Sequence, residues 1–92
     1  MKITTTSYVA EYLGAFLFIL SIFVSAGQPL VVGGTLALVI FLIGSISGGH
    51  VNPAVSSSMF LYGSLTLPEL LGYAVAQLAG GASAYYSYTL LK

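Results

Sequence analysis

Three apolar stretches, at about residues 8–26, 30–47 and 67–90, dominate this 92-residue chain and leave it few folding options. Each approaches the roughly 20 residues that a helix needs to cross a hydrocarbon core of about 30 Å. Only 4% of the residues are charged, against about a quarter in an ordinary soluble domain. Inside lipid every backbone amide and carbonyl needs a partner from its own segment, so spans of this kind are helical. The sequence therefore predicts an all-α, multi-pass integral membrane protein whose first partner is the lipid bilayer. A cleaved leader is the poorer account of the first stretch, because its basic start is Lys2 alone and Ser25-Ala26-Gly27 is a weak cleavage site.

The fixed charges are Lys2, Glu11, Glu69 and Lys92, with no arginine and no cysteine. That balance gives nucleic acid nothing to bind, and the missing thiols remove disulfides and thiolate metal sites. No nucleophile, base and orienting group form a set, so we expect no enzyme, no catalytic residue and no cofactor. His50 is the sole histidine, which excludes a multi-histidine metal site within one chain.

Gly27-Gln28-Pro29 reads as a tight turn that makes the first two spans antiparallel neighbours. Thr66-Leu67-Pro68-Glu69 reads as a capping box opening the third, which makes Glu69 a helix cap. Tyr8, Tyr12, Tyr85, Tyr86 and Tyr88 lie near helix ends and suit bilayer interfaces. Gly72, Ala76, Gly80 and Ala84 form a small-residue stripe along the third span, where another helix can approach closely. Without a duplication or linker, residues 1–92 read as a single domain.

Between the second and third spans, residues 48–62 are too short to cross a bilayer. Gly48 and Gly49 permit an unwound, closely approached backbone, and Pro53 suits the first turn of a helix running to about Tyr62. Such a helix is roughly 15 Å long, half a bilayer. If it starts near the midplane, its free amides and positive dipole end lie deep in the membrane, which is tolerable only along a wet cavity. Asn52, at the junction, offers an amide donor and a carbonyl acceptor to a passing solute.

Ser47-Gly48-Gly49-His50-Val51-Asn52-Pro53-Ala54-Val55 resembles the first Asn-Pro-Ala loop of the major intrinsic protein family, the aquaporins and glycerol facilitators. Ala10-Glu11-Tyr12-Leu13-Gly14-Ala15-Phe16 is similar to that family's first helix, and Val75-Ala76-Gln77-Leu78-Ala79-Gly80 to its third. The resemblance runs in order through essentially the whole chain. It implies an aquaporin-like half-repeat: three transmembrane helices and one re-entrant half-helix, completed by an antiparallel second copy. Gly48, Gly49, His50, Val51, Asn52, Pro53 and Ala54 would then line the pore.

By the same resemblance, Gly33 stands where the second helix crosses its counterpart, and Glu11 braces the pore-loop backbone. Gln77 is expected to hydrogen-bond between helices or help that bracing. The family's filter arginine corresponds to Val55, and the other filter positions project onto Val32 of one chain and Ile40 and Gly49 of the other. The expected constriction is aliphatic, and the expected permeant is water, glycerol or another small neutral solute.

One repeat leaves half a wall missing, so a partner is required. The simplest is an identical chain inserted upside down, which the near-cancelling Lys2 and Lys92 permit, with four such pairs making an octamer. The alternatives are a structural or holin-like small membrane protein, and a half that pairs with a different second half. A fragment of a longer family member is also conceivable, and the stop just past the third span weighs against it. An interrupted helix at midplane depth favours the channel, since a packing protein has no use for one.

Overall fold

The computed structural model describes all 92 residues as four helices: α1 (Thr5–Ser25), α2 (Pro29–Ser47), α3 (Pro53–Tyr62) and α4 (Leu67–Leu91). Their bounds follow from local chemistry. α1 starts three residues before the apolar stretch because Thr4 and Ser7 form a capping box, which the apolar pattern does not mark. It stops where Ala26 enters the left-handed region at φ 55° and Gly27 follows at φ 78°. Gln28 opens α2, its Oε1 accepting from Val31 N at 2.8 Å, with Pro29 in the first turn. Thr66 and Glu69 cap α4 reciprocally: Glu69 N donates to Thr66 Oγ1 at 3.3 Å, and Thr66 N to Glu69 Oε1 at 2.9 Å.

α1 and α2 have the length and hydropathy to cross a membrane. α4 has 25 residues but carries Gln77, Ser83, Ser87 and four tyrosines, so its third-span reading rests on length rather than apolarity. The molecule measures 40 × 23 × 20 Å, with α1 central, flanked by α2 and α4, and α3 packed on α4.

The small-residue stripe of α4 meets α1 within the chain. A Cβ at Gly80 would collide with the Tyr12 carbonyl oxygen, and one at Gly72 would strike the Tyr8 ring. Ala84 is fully buried. Tyr12 belongs to this seam, its hydroxyl 2.7 Å from Ser83 Oγ, instead of standing free at an interface as its position near the helix end suggested. Tyr85 and Tyr86 remain exposed, while Tyr88 stacks on Phe23. Along α2 the apolar residues mostly face outward, with Val39 the buried exception, and the polar Ser47 is buried at its end.

Candidate functional site

Residues 48–52 leave the helical path because their dihedrals demand it. Gly48, at φ 94°, ends α2, Gly49 follows at φ 64°, and Val51 is left-handed at φ 46°. A β-branched residue in that region is strained by about 1–3 kcal/mol and persists only when its surroundings hold it there. Here they do: Val51 is 4% exposed and packs with Ala15 and Val39. Gly14 of α1 makes room for it, since a Cβ there would lie 2.8 Å from Val51 Cγ1.

A single carboxylate organises the loop. Glu11 is completely buried, and four donors fill its two oxygens. Ser47 Oγ and His50 N donate to Oε2 at 2.6 and 3.0 Å. Val51 N and Gln77 Nε2 donate to Oε1 at 2.7 and 2.8 Å. Ser47 Oγ also accepts from Gly49 N at 3.2 Å, so three successive loop amides are tied inward. Tyr73 of α4 donates its hydroxyl hydrogen to the Ser47 carbonyl, and Ser7 Oγ donates to the Ile46 carbonyl at 2.7 Å. The loop is thereby pinned to α1, α2 and α4.

The carbonyls of Gly48, Gly49, His50 and Val51 receive no hydrogen bond from the protein. Asn52 caps α3, its Oδ1 accepting from Ala54 N at 2.8 Å, which leaves its side-chain NH2 free on an exposed residue. Pro53 occupies the first turn of α3, and Ala54 is exposed beside it. A cavity of about 330 Å³ opens at this tip, lined by Phe18, Val51, Asn52, Pro53, Gln77 and Gly81 among others. Gln77 Oε1 is buried there without a partner. A second cavity, about 350 Å³, lies on the Gly48 and His50 side of the loop.

Gly48 to Ala54, Glu11 and Gln77 are thus one connected site. Of the projected filter residues, Gly49 and Ile40 come together, a Cβ at Gly49 lying 3.2 Å from Ile40 Cα. Val55 is exposed on α3, and Val32 lies about 12 Å further along α2 from Ile40, at eight residues' rise. Gly33 has open space on its face, with nothing within 4 Å of an added Cβ. Ser47, Ser56 and Tyr73, fully or almost fully buried hydrogen-bonding residues of the site, do not stand out in the sequence. Serine and tyrosine recur throughout this chain, so their positions alone carry no signal that these three converge.

Residues 25–91 match the sequence profile of the family described as Major intrinsic protein. The chain is 37% identical to the lens fiber major intrinsic protein of Gallus gallus, over 88% of this chain and 36% of that protein. It is 33% identical to the glycerol uptake facilitator protein-like 6 of Lactiplantibacillus plantarum, over 79% of this chain and 38% of that one. Aquaporin-8 of Rattus norvegicus is 43% identical over 79% of this chain and 32% of its own length. The chain therefore spans about a third of the curated relatives it matches. No solved structure matches it significantly. With two helices apolar enough to span, a glycine-rich loop braced by a buried carboxylate, and a profile covering most of its length, the chain belongs to the major intrinsic protein family.

Proposed function

We propose that the chain forms a passive membrane passage for water or other small uncharged solutes, built from two copies in opposite orientation. The observation that carries this is the polarity of the 48–51 backbone. Its amides from Gly49 to Val51 are anchored inward, while four consecutive carbonyls lack a protein donor. Backbone acceptors in that state are stable inside a bilayer only where water, a solute or another chain supplies hydrogens. α3 then acts as a re-entrant half-helix whose amino end, at Asn52 and Pro53, faces the passage with its positive dipole and opposes cations.

These residues span about a third of the curated relatives, so in this reading the remaining wall lies beyond them. A second copy related by a two-fold axis in the membrane plane supplies it with the same chemistry, and four such pairs extend the assembly to an octamer. Gly33 and Gly34 leave a bare strip on α2 suited to close crossing with the partner. Val32, Ile40, Gly49 and Val55 form an aliphatic constriction without a fixed charge, which gives ions no replacement for their hydration shells.

Stopped-flow shrinkage of proteoliposomes tests the passage, with Asn52→Asp as the comparison. Flux above lipid background that falls with the variant supports it. A folded oligomer with background flux rejects it, and leakage of large dyes points to a holin-like lesion. Single cysteines beside Lys2 and Lys92, labelled by an impermeant reagent, test orientation: each accessible from both faces supports opposed copies, and one-sided labelling points to a different second half.

A further inference from the structure

The hydrogens around His50 can be assigned by counting partners. Glu11 only accepts, so Gln77 has to turn its NH2 group toward it, and Nε2 donates to Glu11 Oε1 at 2.8 Å. Its second hydrogen goes to Ser56 Oγ, also at 2.8 Å. This orientation explains why Gln77 Oε1 is left without a partner: turning the amide over would set its oxygen against the carboxylate.

Ser56 is fully buried, and its hydroxyl meets Gln77 Nε2 and His50 Nδ1, the latter at 2.9 Å. Because Gln77 Nε2 can only donate, the serine oxygen accepts there, and its own hydrogen has one acceptor in reach, His50 Nδ1. A proton on Nδ1 would leave the serine hydrogen buried and unpaired, a state that folded proteins avoid. Nδ1 is therefore the bare nitrogen, and the neutral ring carries its proton on Nε2.

Nε2 has no bonding partner in the protein. It stands over Gly48, where an added Cβ would come within 3.0 Å of it, and His50 walls the 350 Å³ cavity with Met1, Ile3, Gly48, Met59 and Ser64. The neighbouring loop carbonyls offer only acceptors. A solute bearing a hydroxyl needs both kinds of partner, and a fixed N–H on the same loop as four unpaired carbonyls offers them.

We infer that the Glu11, Gln77 and Ser56 chain locks His50 as the Nε2–H tautomer, making this N–H the donor of a subsite for the oxygen of a small hydroxyl-bearing or amide solute. The inference rests on reading the loop as the wall of a passage, and it favours hydrogen-bonding permeants over apolar gases.

His50 is the one histidine of the chain, so ¹⁵N-histidine labelling gives a single pair of ring resonances. In lipid bilayers at mildly alkaline pH, the expected spectrum has an unprotonated Nδ1 and a protonated Nε2. A protonated Nδ1, or equal populations of the two tautomers, overturns the lock, and this needs no variant to fold. Ser56→Ala is expected to mix the tautomers. Glycerol, as the probe, should move the Nε2 resonance, and an unmoved resonance overturns the subsite. His50→Phe, which keeps an aromatic ring beside Tyr73, should lower glycerol flux about fivefold, the loss of one neutral hydrogen bond. If no solute crosses the proteoliposomes while glycerol still moves Nε2, the passage fails and the subsite stands; if flux is present and Nε2 does not move, the passage stands and the subsite fails.

Discussion

Glu11 is fully buried and accepts four hydrogen bonds, and the donors include two backbone amides that cannot turn away. Glu11→Gln replaces one acceptor oxygen with an NH2 group that faces donors, so we expect about 3 kcal/mol of destabilisation, read as a fall in the thermal midpoint in micelles. The loop should also become mobile, with faster amide exchange at His50 and Val51. Gly14→Ala tests the packing beneath the strained Val51: its Cβ would lie 2.8–2.9 Å from Ile43, Val51 and Val39. Overpacking of that kind typically costs about 1–3 kcal/mol, again visible as a lower midpoint. At this scale Glu11 and Asn52 were legible, because a carboxylate in an apolar span and an amide before Pro53 are chemically conspicuous. Ser47, Ser56 and Tyr73 were not, since what distinguishes them is which neighbours the fold brings within 3 Å.

Among the elements, the α1 and α4 seam is set by one glycine face. Gly80 meets backbone, which cannot step aside, whereas a Cβ at Gly81 would lie 3.7 Å from Ile19 Cγ1 in ordinary contact. Gly80→Ala should therefore force the helices apart and lower the thermal midpoint, while Gly81→Ala should leave it unchanged or slightly raised through helix propensity. Circular dichroism melts of the two variants side by side separate the outcomes. The punctuation of helices was readable from Gly27, Pro29, Pro53 and Thr66, because caps and breakers act over a few residues. The start of α1 was not, as Thr4 and Ser7 precede the apolar pattern. The partner of the small-residue stripe was also hidden: spacing shows that a helix can come close, and only the fold shows that α1 does.

For the whole molecule, Gly33→Leu is the informative change. Its side chain meets nothing within the chain, so the protomer should keep its fold and helix content. In the proposed opposed pair the same leucine would lie at the crossing, and we expect loss of the oligomer by native mass spectrometry or cross-linking, with loss of flux. An intact oligomer with normal flux would exclude close crossing at Gly33. The large apolar side chains of Leu30, Phe41, Leu61 and Leu90 are more than 80% exposed in the single chain, as expected where lipid or another chain is the solvent.

What the sequence determined unaided was the helical class, the interruption between the second and third apolar stretches, and the family resemblance. These depend on local length, on backbone breakers and on residue order, all of which survive in one dimension. The hydrogen-bond wiring that turns the loop amides inward and leaves its carbonyls unpaired was decided by the tertiary structure. It joins Glu11 to residues 36 to 66 positions away, and hydrogen bonds form between atoms within about 3 Å, a proximity that spacing along a chain does not encode.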